Sequence, residues 1–291
     1  MGDGVKILIT GDAGFVGRAF HRALDDKNHE ITGIDLVNGK EVRHFFANDN
    51  TQFDVVIHLA AIVGGRMTIE GNPLSVASDL AIDADMFQWA LRTRPRHIVY
   101  FSSSAAYPIF LQKLTYKQKL REIDINLEHI RTPDFTYGWA KLSGEMLASY
   151  ARAEGLKVSV LRPFSGYGSD QALDYPFPSF IERAKRKADP FEVWGAGTQV
   201  RDFVHIDDVV QATFAAVTNN VFTMNICSGR PTSFIELAEM VMLQAGYLAP
   251  IKTNLDAPVG VEYRVGDPSR MLSVYEPKIS LEEGIARALA S

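Results

Sequence analysis

Tyr137 and Lys141 stand four residues apart in Tyr137-Gly138-Trp139-Ala140-Lys141. On a helix, positions i and i+4 share one face, so this spacing sets an ammonium beside a phenol. A neighbouring cation favours the phenolate and draws a tyrosine below its ordinary pKa of about 10. A tyrosine so placed can take a proton from a substrate hydroxyl and return it near neutral pH. Many helices carry the same spacing by chance, so its meaning depends on the elements that position it.

Those elements alternate. Val5 to Thr10 is a short β-branched run, followed by an amphipathic stretch from Phe15 to Asp26. Glu30 to Ile34 and Phe53 to Leu59 read as strands, Leu80 to Thr93 as a helix and His97 to Phe101 as a strand. Tyr137 to Glu154 is expected to be helical and Lys157 to Leu161 a strand. Strands alternating with helices predict α/β architecture: a doubly wound, parallel, Rossmann-like sheet covered on both faces. After Pro163 prolines and glycines become frequent, with helices expected at Val209 to Val217 and Ser233 to Gly246. Residues 1–164 with about 206–221 are expected to bind a dinucleotide. About 165–205 with 222–291 would form a smaller, discontinuous substrate-binding region capping the sheet.

At the first strand-to-helix junction stands Thr10-Gly11-Asp12-Ala13-Gly14-Phe15-Val16-Gly17. Gly11 permits a sharp turn, Gly14 lets the backbone approach a pyrophosphate, and Gly17 allows close packing of helix on sheet. The free N–H groups of the helix amino end would face the phosphates. Asp35 closes the second strand, where a carboxylate accepts from both ribose hydroxyls and repels a 2′-phosphate. No arginine follows it in Leu36-Val37-Asn38, so NAD is expected rather than NADP. After the strand at His97 to Phe101 comes Ser102-Ser103-Ser104, hydroxyls at a strand's carboxyl end, where ligands bind in this class.

The bulk of the chain excludes other classes. Its 291 residues are 46% hydrophobic and 22% charged, with a net charge of −5 and no basic cluster of the kind that binds nucleic acid. Cys227 is the single cysteine, so no internal disulfide can form, and a cytoplasmic location is expected. Met1 to Lys6 does not read as a signal peptide, and no run has transmembrane length. Neither a membrane nor a metal is expected.

The glycine turn, Asp35, the serine run and Tyr137/Lys141, in that order, resemble the extended short-chain dehydrogenase/reductase family. Within it the chain is similar to the NAD-dependent sugar-nucleotide epimerases and dehydratases. His58-Leu59-Ala60-Ala61, Arg162-Pro163-Phe164-Ser165-Gly166-Tyr167-Gly168 and Gly195-Ala196-Gly197-Thr198-Gln199-Val200-Arg201-Asp202-Phe203-Val204-His205 extend the resemblance over nearly the whole chain. It implies Tyr137 as base and acid on the sugar 4-hydroxyl, and Lys141 holding the nicotinamide ribose. One serine would bond the same sugar oxygen. Counting back from the tyrosine of the serine motif selects Ser103, and counting from the start of the run selects Ser104. The cofactor would touch Gly11, Gly14, Phe15, Val16, Gly17, Asp35, Leu59, Ala60, Ala61, Tyr137, Lys141 and Pro163.

Val63-Gly64-Gly65-Arg66, Glu192-Val193-Trp194-Gly195 and Gly260-Val261-Glu262-Tyr263-Arg264 look most similar to the GDP-mannose 3,5-epimerases and GDP-fucose synthases. This implies a nucleotide-diphosphate sugar as substrate. Gly65, Arg66, Ser103, Ser104 and Gln199 would line its site, Arg201 and Arg264 would hold the diphosphate, and Val193 and Trp194 would lie near the base. The family also implies a homodimer built on the helices near Leu80–Thr93 and Tyr137–Glu154, with Phe87, Trp89, Leu91, Met146, Leu147 and Tyr150 as candidates, some of which must belong to the core.

The departures are as informative. The similar 3,5-epimerases carry a cysteine and a lysine as further acid/base groups, where this chain aligns Ala105 and Tyr175. The 4,6-dehydratases use an Asp-Glu pair, where this chain has Ser104-Ala105. Ser165 stands where the family often has asparagine, and the segment from Asp35 to Phe53 is short for a full third strand. What remains is hydride and one proton at a single carbon. The expected activity is NAD-dependent 4-epimerisation through a transient 4-keto sugar. The alternative is a 4-ketoreductase or 4-dehydrogenase, and a non-catalytic dinucleotide-binding regulator is a further one.

Overall fold

The computed structural model describes residues 4–25, 28–64 and 71–291, the side chains of residues 75 and 76 excepted. The central sheet has six strands: β1 (Lys6–Thr10), β2 (Glu30–Ile34), β3 (Val55–His58), β4 (His97–Phe101), β5 (Val158–Pro163) and β10 (Thr223–Ile226). Their order is β10-β5-β4-β3-β1-β2, and every pairing is parallel. A parallel sheet is buried on both faces, which is why β3 and β4 are apolar runs without polar alternation.

Successive side chains point to opposite faces. Ile7 and Ile9 therefore join Phe20 and Leu24 of α1 (Phe15–Leu24). Leu8 joins the opposite layer, formed by α2 (Val42–Asn48), α3 (Ser78–Thr93) and α4 (Phe135–Ala153). The strand order reverses between β1 and β3. Ligands bind outside the carboxyl ends of strands at such a switch point, and Gly11 and Leu59 are the residues that follow β1 and β3.

The short segment after Asp35 holds no strand; it forms α2. That helix corrects the interface expectation. Phe46 of α2 packs against Trp89 with ring centroids 5.4 Å apart, and Trp89 and Phe87 are buried in the core. Neither is available to a partner. Leu91 and Tyr150 are exposed.

Beyond β5 lie β6 (Ser165–Tyr167), α5 (Pro176–Lys185), β7 (Phe191–Trp194), β8 (Val200–Arg201), β9 (Phe203–His205) and α6 (Ile206–Thr218). After β10 come β11 (Thr232–Ser233), α7 (Phe234–Gln244), β12 (Ile251–Asn254), β13 (Tyr263–Arg264) and α8 (Leu281–Ala290). α6 packs on the α1 side of the sheet. A separate apolar cluster joins α5, β7, α7 and α8. Of the prolines that become frequent after Pro163, Pro176 starts α5, at a position where a missing N–H costs nothing. Thr223–Ile226, assigned by the sequence reading to the second region, is hydrogen-bonded to β5 as the sheet's edge strand. Among the described residues, no helix is long and apolar enough to cross a membrane.

Candidate active site

A cavity of about 620 Å³ opens at the carboxyl ends of the central strands. Gly11, Gly14, Phe15, Val16 and Gly17 form one end; Ser102 to Ala105, Tyr137, Lys141 and Pro163 form the middle; Arg183, Trp194, Arg201 and Arg264 reach the other.

The glycine turn is shaped by contact. Gly11 has φ +71°, and a Cβ there would lie 2.8 Å from the Ala60 nitrogen. At Gly17 a Cβ would sit 2.5 Å from Asp12 Cα, so only glycine lets α1 pack this closely. Gly14 is the N-cap of α1; it has no side-chain cap, and the first turn carries no acid. The first N–H groups of a helix lack intrahelical partners, so the α1 amino end is left to accept an anion. Asp35 accepts from Ala13 N at 3.0 Å and from Val37 N at 2.9 Å. A carboxylate has lone pairs beyond these two bonds, and it stands beside the turn where an adenosine ribose would lie. Leu59 and Ala61 line the cavity. Ala60, expected beside them, packs instead against the core under α3, and its N–H donates to Thr10 Oγ1. The turn, the helix end and Asp35 fit a dinucleotide.

Tyr137 and Lys141 share one face of α4, as their spacing requires. The Lys141 ammonium lies 5.8 Å from the Tyr137 ring centre and 5.5 Å from that of Tyr100. Lys141 is buried. Burial alone would lower its pKa, but the Tyr137 oxygen and the Asp83 and Asp79 carboxylates outweigh burial and raise it. Ser103 caps a short 3₁₀ turn, its Oγ accepting from Ala105 N at 3.1 Å. That bond leaves the Ser103 hydroxyl proton free to donate. Ser104 is buried, and both serines line the cavity.

The serine loop is held from behind by groups the sequence reading missed. Ser102 Oγ donates to Glu145 Oε1 at 2.5 Å. Arg162 clamps the same carboxylate, Nε to Oε1 at 2.8 Å and Nη2 to Oε2 at 2.6 Å. Its Nη1 also donates to the Tyr107 hydroxyl, which donates onward to Asn225. The signal available was spacing, since Glu145 lies one turn beyond Lys141.

On the substrate side the expected residues separate. Arg201 lines the cavity, held by the carbonyls of Val200 and Val261 at 2.8 Å each, with its guanidinium 5.5 Å from the Phe234 ring centre. Arg264 also lines it and is ion-paired to Asp134 at 2.6 Å. Because Asp134 is the N-cap residue of α4, Arg264 ties β13 to the start of the tyrosine helix. Trp194 is half-exposed on the wall. Val193 is not on it: strand alternation turns Phe191 and Val193 into the core and Trp194 outward. Gln199 is also a correction. It is buried, its amide spent on the Trp194 carbonyl at 2.7 Å. Gly65 and Arg66 lie outside the described residues.

Two further wall residues were not foreseen as ligands. Arg183, on α5, donates to Ser179 Oγ at 2.8 Å, and burial lowers its pKa. Tyr175 faces Tyr137; burial first, then that neighbour, push its phenol upward. It is held as a neutral phenol.

Residues 7–227 match the model of the NAD dependent epimerase/dehydratase family. Similar curated proteins include a GDP-L-fucose synthase of Sinorhizobium fredii, 26% identical over 99% of this chain and 96% of that protein. A dTDP-4-dehydro-6-deoxy-D-allose reductase of a Streptomyces species is 28% identical over 94% of this chain and 91% of its own. Among solved structures, a UDP-glucose 4-epimerase of Thermus thermophilus in complex with NAD superposes with a TM-score of 0.82. It is 20% identical, covers 98% of each chain and so shows likeness of fold.

Proposed function

Because this chain belongs to the NAD dependent epimerase/dehydratase family, we propose that it is a nucleotide-sugar 4-epimerase. It is an enzyme, and NAD is its cofactor. When bound, NAD supplies a hydride acceptor and donor. The rest of the chemistry falls to the protein. Tyr137 takes the proton of the sugar 4-hydroxyl and later returns it to the carbonyl oxygen. Lys141 stabilises the charge that Tyr137 develops. Ser103, which lines the cavity with its hydroxyl proton not used in the bond to Ala105 N, would donate to the same oxygen, with Ser104 as the alternative. Arg201, Arg264 and Arg183 supply the cationic end for a diphosphate, with Trp194 beside the base. Residues 1–164 and 206–221 would hold the cofactor, and the remainder most of the substrate. Two copies would pair through the exposed faces of α3 and α4, at Leu91 and Tyr150.

The observation that carries the C4 assignment is the pair of blanks around Tyr137. Ala105 can neither give nor take a proton, and burial keeps the Tyr175 phenol protonated, so neither supplies the base that epimerisation at C3 or C5 would need. The protein as purified, mixed in turn with UDP-, GDP- and dTDP-hexoses, should interconvert 4-epimers without net change in reduced-nicotinamide absorbance. Free exchange of the C4 hydrogen with solvent would sink the mechanism. The likeness to a 4-dehydro-sugar reductase supports a second reading, reduction of a 4-keto sugar. Stoichiometric consumption of added NADH would establish that reading instead.

A further inference from the structure

Behind the Tyr137/Lys141 pair lies a group of buried titratable side chains to which the reaction as drawn gives no task. Asp79 and Asp83 sit one turn apart on the same face of α3, both fully buried. That face meets α4 at Gly144. A Cβ there would fall 1.8 Å from the Tyr100 hydroxyl and 2.5 Å from Asp83 Oδ2, so the missing side chain makes the close approach possible.

The two carboxylates are held differently. Both oxygens of Asp83 have donors: the Tyr100 hydroxyl at 2.5 Å and His58 Nε2 at 3.1 Å. The histidine tautomer follows from its other neighbour. Thr10 Oγ1 accepts from the N–H groups of Leu59 and Ala60 at 3.2 Å each, so its own hydrogen goes to His58 Nδ1 at 2.8 Å. His58 Nε2 then carries the hydrogen given to Asp83. Asp79 is less fully met. Its Oδ1 accepts from Ile62 N at 2.6 Å, but Oδ2 is buried without a hydrogen-bond partner among the described residues.

We propose that Asp79 is a positioning residue for the acid/base pair: acting through Lys141, it sets how readily Tyr137 gives up its proton. The inference rests on the reading that Tyr137 and Lys141 do the proton chemistry. The described groups that act on Asp79 are Asp83 on its own helix, Lys141 on α4 and the Ile62 N–H; Tyr100 on β4 and His58 on β3 meet Asp83, and Tyr137 meets Lys141. Asp83 is locked by its donors; Asp79 has an oxygen to spare. Burial, opposed by Lys141 and the Ile62 N–H, pushes the Asp79 carboxyl up to about 6, within reach of working pH. Ionised, Asp79 shares the Lys141 charge and leaves less of it for the phenolate. Protonated, it returns that charge to Tyr137.

The test needs no substrate. Tyrosinate absorbance is titrated in the NAD-loaded protein and in Tyr137→Phe, and the difference isolates Tyr137. The same pair of titrations is then run with Asp79→Asn in both. The Asn side chain keeps an acceptor for Ile62 N but cannot ionise. The Tyr137 midpoint should move to lower pH by about one unit, the usual size for removing one nearby charge. Asp79→Ser, smaller and also neutral, should give the same shift, and it stands in if the Asn variant folds poorly. An unmoved midpoint overturns the proposal. An upward shift also overturns it, because Asp79 would then serve only to keep Lys141 charged. A shift seen in one neutral variant but not the other marks a packing effect and overturns it as well. Turnover retained by Tyr137→Phe, a separate result, would overturn the underlying reading instead.

Discussion

Lys141 and Glu145 lie one turn apart on α4, both buried and both charged, yet the two ends of that stretch are built differently. At Glu145 every strong donor and acceptor is matched: Arg162 covers both carboxylate oxygens, and Ser102 donates as well. At Lys141 the ammonium faces aromatic rings and two carboxylates, one of them with an unpartnered oxygen among the described residues. A fully matched buried pair fixes geometry and resists titration. A loosely matched one stays able to change charge, which proton transfer requires. The helix thus carries a clamp at one turn and a reactive group at the next, and the clamp holds the serine loop in line with the tyrosine.

The largest expected effect lies at the reactive end. Tyr137→Phe should cost about 10²- to 10⁴-fold in turnover, with urea denaturation unchanged. A loss of stability instead would mean the tyrosine is structural and the contrast false. The reverse pattern is expected at the clamp. Glu145→Ala leaves Arg162 buried and unpaired, and should destabilise the fold by about 3–5 kcal/mol, read as a lower urea midpoint at unchanged slope.

Asp79→Asn sharpens the comparison through pH. The Asp79 carboxyl, ordinarily at 3.8, is raised to about 6 in the fold. Its contribution to stability is therefore fully present below 3.8 and lost as pH rises through about 6. The Asn variant cannot lose it. Relative to the parent it should gain roughly 1–3 kcal/mol between acid and about pH 8, followed by denaturation at several pH values. A flat difference would place Asp79 with the clamp. The smallest effect is expected at the far wall: Arg201→Ala should raise KM for the nucleotide sugar about tenfold, the size of one lost charge-assisted bond, and leave kcat largely in place.

The chain order already carried the sheet, because buried parallel strands must be apolar runs and each is followed by a helix. It carried the cofactor side for a related reason. Gly11, Gly14 and Gly17 act through the backbone, and local spacing fixes what a backbone can do. The Tyr137/Lys141 face was equally legible, since helix period alone sets it. Legibility failed where a side chain's direction depends on a distant partner. Val193 turned inward because β7 pairs with β12 and packs on α5, and Trp89 was covered by a helix in the segment that is short for a full strand. Nothing in the sequence separates Asp79, Asp83 and Glu145 from ordinary helix charges. Only the packing of α3, β4 and β5 against α4 buries them, and burial is what turns a solvated charge into a clamp or a tuner. Sequence determined which groups could react; tertiary structure decided which of their neighbours were removed from water.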